Sequence, residues 1–287
     1  MRIVFIHGRS QGGKDPVALR KEWEDSFDEG LANCGLQRPA GLEIRLPFYG
    51  DLVDDLVAQL EAPLVADVVE RGADADDDEA EFRGEFLAEL AEGNRIAADE
   101  IAQNYEGDVT ERGPLNWRWV RAIMKTLDKS KKLGSLAIDS FTRDVYVYLT
   151  KEVVRRRILD LVERDLGGSP CVVVGHSLGS VVGYDLLRRS NHQVARYVTL
   201  GSPLAVRAVK RRLQAPLVMP AKTTSWYNAL DRQDPVSLYP LDAENFGLQP
   251  PIVNYSGVDN PTDNQHGIVG YLPDRWVAAA IHGGLGV

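Results

Sequence analysis

The chain has 287 residues, 33 basic and 42 acidic side chains, a formal net charge of −9 and a sequence pI near 5.2, which argues against nucleic acid as its main partner. A hydrophobic fraction of 44% suits a globular core, and the length suits one domain carrying an insertion better than two equal halves. Two cysteines make no disulfide framework, and no stretch approaches the roughly 20 apolar residues of a membrane helix.

Ile3 to Ile6 reads as a buried strand running into His7-Gly8. It is too short an apolar run for a signal peptide and lacks a cleavage region. The expectation is a soluble, cytoplasmic protein without integral membrane association. Arg9 to Lys14 forms a loop, and Asp15-Pro16 reads as an N-cap with proline at the first helical position. Val17, Leu19, Trp23 and Phe27 continue as an amphipathic helix to about Leu31, with Cys34 near its end. Gly8 to Lys14 also satisfies half of a phosphate-binding loop, but position 15 is Asp where that motif needs a Ser or Thr hydroxyl.

A second strand spans Leu42 to Phe48. From 51 to 140 the pattern is helical, with one helix through Leu52, Val53, Leu56, Val57 and Leu60. A second begins with Phe82, Phe86, Leu87 and Leu90, and a third carries Trp117, Trp119, Val120, Ile123, Met124 and Leu127. The tryptophans are expected to pack the core of this insertion. The acidic run from Asp74 to Glu79 is expected to be a solvated loop, as it lacks the spacing of a calcium loop. The basic clusters at Lys129 to Lys132, Arg155 to Arg157 and Lys210 to Arg212 are expected to be solvated helix faces.

Arg143 to Asp165 reads as one long helix leading to the most informative stretch, Pro170 to Leu187. Cys171 to Val174 is the apolar run of a strand buried on both faces. Gly175-His176-Ser177-Leu178-Gly179 follows as a complete G-x-S-x-G, and Val181, Val182, Leu186 and Leu187 then keep helical spacing. Strand, tight turn and helix form the context of a nucleophile elbow. A β-carbon at Gly175 or Gly179 would strike its neighbours, so Ser177 is expected to sit strained at a helix N-terminus that favours negative charge. Further strands are predicted over Val194 to Leu200, Thr223 to Leu230 and Ile252 to Tyr255. Helices are predicted over Leu204 to Leu213 and Gly267 to Ile281. Strands alternating with helices imply an α/β fold with a mostly parallel sheet of about six strands.

These motifs resemble the α/β-hydrolase superfamily, particularly its lipase and esterase branch, from Ile3 to Tyr271 apart from the stretch between about 51 and 140. The resemblance implies a hydrolase core of residues 1–50 and 141–287 with a helical cap of 51–140 over the active site. It also implies the chain order Ser, then Asp or Glu, then His. Ser177 would be the nucleophile. His266, in the polar loop Asp263 to Gly267 and the first residue of His-Gly-Ile-Val-Gly-Tyr-Leu, would be the base, with His282 as the alternative. Asp234, in Asp-Pro-Val, would be the acid, with Asp231 as the alternative. The backbone N–H groups of Arg9 and Leu178 would form the oxyanion hole, supported by His7, Gly8, Gly175, His176 and Gly179.

The implied activity is hydrolysis of a carboxylic ester or thioester through an acyl-enzyme, needing no metal or organic cofactor. The expected partner is a small-molecule or lipid-like acyl ester. A lipid-directed lipase or phospholipase, an acyltransferase and a non-catalytic binding protein are the alternatives on the same fold.

Overall fold

The computed structural model describes residues 1–8, 11–52, 55–56, 77–105, 117–131, 135–263 and 265–286. Six strands form one parallel sheet in the order β2-β1-β3-β4-β5-β6. They are β1 (Arg2–Ile6), β2 (Glu43–Arg45), β3 (Cys171–His176), β4 (Val194–Leu200), β5 (Trp226–Asp231) and β6 (Val253–Val258). The predicted strand from Thr223 is shorter than expected, Thr223 making only an isolated bridge to Val194.

Side chains alternate across the sheet, as the two-residue period of a strand dictates. Ile3, Phe5, Val172 and Val174 share one core with Trp23 and Phe27 of α1 (Pro16–Asn33) and Val277 and Ile281 of α10 (Arg275–Gly283). Val4, Ile6 and Val173 face the opposite core. There they share one apolar cluster with α6 (Glu152–Leu166), α7 (Leu178–Arg189) and the helical insertion between β2 and β3. Helices on both faces satisfy a parallel sheet that cannot leave either face wet. β1 lies between β2 and β3, so the chain reverses direction across the sheet at the carboxyl ends of β1 and β3. That is the position at which ligands bind in such sheets.

The insertion comprises α2 (Asp77–Gly93), α3 (Ala98–Gln103), α4 (Trp117–Lys131) and the start of α5 (Ser135–Thr150). The predicted helix at 52–60 is visible only at 50–52 and 55–56, the rest lying outside the described residues. Phe82, Phe86, Leu90, Val120 and Ile123 are buried. Trp119 meets Tyr105 edge to face at 5.3 Å, a packing role within the insertion. Of the acidic run, Asp77 to Glu79 belong to α2 rather than to a loop, and Asp74 to Asp76 lie outside the described residues.

Four expectations are corrected. The predicted helix 143–165 is broken at Lys151, whose backbone is extended (φ −93°, ψ 98°). The Thr150 hydroxyl donates back to the Tyr146 carbonyl, a bond that bends helices. The helix expected over 267–281 is two, α9 (Ile268–Tyr271) and α10, because Pro273 lacks an N–H and Asp274 caps a new start by accepting from Trp276 and Val277. The helix expected from Leu204 shrinks to the single turn α8 (Arg207–Lys210). Finally, the basic run at 210–212 is solvated at Arg211 as expected, but it runs past the end of α8 and is ion-paired. Arg211 pairs with Glu85 at 3.0 Å and Arg212 with Asp78 at 2.7 Å, beside Arg207 with Glu92 at 2.7 Å. The buried Glu89 carboxylate accepts the Arg207 N–H with both oxygens, at 3.0 and 2.9 Å, and so caps α8. One face of α2 is thereby laced to the segment that follows β4.

Candidate active site

The turn after β3 is set by close approach. A β-carbon on Gly175 would come within 2.7 Å of the Gly179 carbonyl oxygen, and one on Gly179 would meet the carbonyl oxygens of Ile6 and His7. With α7 pressed onto β1 in this way, Ser177 takes φ +55°, ψ −128°, in the left-handed region that side chains avoid. Its amide is tied to the Leu200 carbonyl at 3.0 Å. Backbone strain of this kind costs on the order of 1–3 kcal/mol and persists only where surroundings enforce it. Gly8 lies alongside, where a β-carbon would sit 2.8 Å from the Ser177 β-carbon.

The structure brings Ser177, His266 and Asp234 together. The Ser177 hydroxyl lies 2.8 Å from His266 Nε2, and His266 Nδ1 lies 2.7 Å from Asp234 Oδ2. Asp234 is acceptor-only as a carboxylate, so Nδ1 carries the proton and Nε2 is left to accept from the serine. Asp234 is buried, and its Oδ1 accepts from the Val236 and Ser237 N–H groups at 2.8 and 3.2 Å. Burial alone would raise its pKa. The neighbouring imidazole and the hydrogen bonds from His266, Tyr271 and Val236 outweigh that and hold it below the usual carboxylate value.

The other nominated residues fall into separate roles. Asp231 does not reach His266. Its two oxygens accept from the Gln233 and Asn260 N–H groups, both at 2.7 Å, which fixes the loop carrying Asp234. His282 lies in the last turn of α10, which packs on α1 and β4, and is not brought to Ser177. His7 accepts the Tyr49 N–H on Nε2 at 3.1 Å, so its Nδ1–H donates to the Gly8 carbonyl at 2.6 Å. Burial lowers its pKa to about 4. His176 is lowered to about 3, first by burial and then by the nearby His266, and its Nε2–H donates to the His266 carbonyl at 2.8 Å. Both rings are therefore neutral braces at pH 7. Leu178 is the first residue of α7, where backbone N–H groups have no intrahelical acceptor. Arg9 lies outside the described residues. In the Gly8 to Lys14 loop the Gly13 N–H donates to the Asp51 carboxylate at 2.7 Å, so that amide faces a protein anion.

Several residues of the site escape sequence reasoning. The Tyr271 hydroxyl donates to Asp234 Oδ2 at 2.6 Å. Asn260 donates to the Gly267 carbonyl at 2.8 Å, while Thr262 Oγ1 accepts the Gly267 N–H at 3.0 Å. The Ser180 hydroxyl donates to the Ser177 carbonyl at 2.6 Å and accepts from Ser202 at 2.7 Å. The strained φ of +54° at Gln265 sits beside His266. Only Tyr271 had a local signal, an aromatic four residues past the His-Gly pair, and its apolar neighbours disguised it as core. Phe141 of α5 meets the His266 ring edge to face at 6.3 Å, and its own ring packs against Phe86 of α2 at 5.8 Å.

Comparison with protein-family models, with curated proteins and with solved structures finds no match for this chain. Among the described residues no helix is long and apolar enough to cross a membrane.

Proposed function

We propose that the chain is a serine hydrolase of the α/β-hydrolase kind, cleaving carboxylic esters or thioesters. The observation that carries this reading is the unbroken line from the Ser177 hydroxyl through His266 to Asp234, with links of 2.8 and 2.7 Å. In the proposed reaction Ser177 Oγ attacks the acyl carbonyl carbon while its proton passes to His266 Nε2. Asp234 stabilises the imidazolium through Nδ1–H. The oxyanion is held by the N–H of Leu178 at the start of α7, with the N–H of Arg9 as the proposed second donor. His266 returns its proton to the leaving alkoxide or thiolate. Water, deprotonated by the same Nε2, then releases the acid and restores the serine. No step as written uses a metal or organic cofactor.

Phe141 beside His266, backed by the buried Phe86, favours an apolar acyl group and gives a lipid-like ester a physical basis. A fluorophosphonate probe tests the reading, alongside p-nitrophenyl esters of graded chain length. Covalent labelling at Ser177, absent in Ser177→Ala, is expected. Failure of the unaltered protein to label or to cleave any ester overturns it.

A further inference from the structure

We infer that Tyr271 is a positioning residue that sets the strength and orientation of the Asp234 carboxylate, an inference resting on the hydrolase reading above. Asp234 Oδ2 receives two donors, His266 Nδ1–H at 2.7 Å and the Tyr271 hydroxyl at 2.6 Å. The tyrosine side chain is fully buried in the apolar core beneath the site. Its hydroxyl oxygen also accepts the Asp231 N–H at 3.2 Å, which fixes the one proton it has toward Asp234. Burial first, and then the adjacent Asp234 carboxylate, push the phenol pKa well above its usual value, so Tyr271 remains a donor throughout the working range.

The consequence follows from sharing one oxygen. Charge that Oδ2 delivers to the tyrosine proton is withheld from the imidazole. Tyr271 therefore weakens the pull of Asp234 on the proton at Nδ1 while it pins the carboxylate in rotation. Removing the hydroxyl concentrates charge on the imidazole side, favours the imidazolium, and moves the acid limb of the pH profile upward. A purely structural tyrosine would change amplitude or stability and leave that limb in place.

The test measures the rate of fluorophosphonate labelling at Ser177 against pH in wild type, Tyr271→Phe, and a variant with 3-fluorotyrosine placed site-specifically at 271. Phe is expected to shift the acid limb upward by roughly half a pH unit, a fraction of the ~1 kcal/mol carried by one hydrogen bond. Fluorotyrosine, a stronger donor, is expected to shift it downward, and it remains informative if the Phe variant does not fold. An unmoved limb, or shifts of one sign in both variants, overturns this inference while labelling of wild type leaves the hydrolase reading standing. Absence of labelling in wild type removes both.

Discussion

The two sides of the candidate site are held by different physics. On the sheet side, Asp234, Asp231, Asn260 and Tyr271 are almost wholly buried, and each oxygen named above has a donor. On the insertion side, α2 is joined to the segment after β4 by an apolar face and a row of ion pairs. Most of those pairs are wet: the side chain of Arg211 is 64% exposed and that of Glu92 69%. Buried polar webs are costly when broken and fix one geometry, whereas exposed ion pairs each contribute little and weaken with salt. The contrast teaches that one geometry is fixed around Ser177, His266 and Asp234, whereas the insertion adds mostly exposed ion pairs to its apolar contact.

The comparison can be sharpened from its largest expected effect downward. Ser177→Ala should lower ester turnover by about 10⁴-fold or more with little change in the unfolding midpoint. Asp234→Asn should lower turnover by roughly 10³–10⁴-fold and lower the midpoint as well, because its amide N–H would face the donors that the buried carboxylate now accepts from. Activity close to wild type in either would break the sheet side of the argument. Acid comes next. His7 and His176 have folded pKa values of about 4 and about 3, below 6.5. The unfolded chain binds protons first as pH falls, so stability is full above about 6.5 and is lost as pH drops toward 4 and 3. A shift of the size seen for His7 corresponds to on the order of 3 kcal/mol. Asp234, also depressed, adds a loss in the same direction. Thermal midpoints measured from pH 8 to pH 4 should fall steadily, and added salt should not restore them.

On the insertion side, Glu89→Gln leaves one oxygen to serve the Arg207 N–H and places an amide in a 4% exposed position. It should cost about 1–3 kcal/mol by denaturant titration. Smallest of all, Arg211→Gln should cost less than about 0.5 kcal/mol, and the difference from wild type should vanish in molar salt. A loss of several kcal/mol from Arg211→Gln would show that the insertion is locked rather than laced.

What could be read in advance follows the range of the forces involved. β3, the Ser177 turn and α7 were legible because an apolar run, glycines at a close approach and a helical repeat lie within eighteen residues. His266 and Asp234 required the resemblance, since nothing local distinguishes Asp234 from Asp231. Only the fold shows Asp231 spending its oxygens on Gln233 and Asn260. The break before α10 was written in Pro273-Asp274, and apolar periodicity running across it concealed the signal. The pairing of α2 with residues 207–212 was out of reach, because its partners are more than a hundred positions apart and every one resembles an ordinary surface charge.

The brace from His176 to the His266 carbonyl has a mechanical consequence. Its root is the residue immediately before Ser177, so Ser177 and the backbone of His266 hang from the same strand end. Under the proposed function, a shift of that strand end is expected to carry both, so that the gap between hydroxyl and imidazole varies less than the surroundings do.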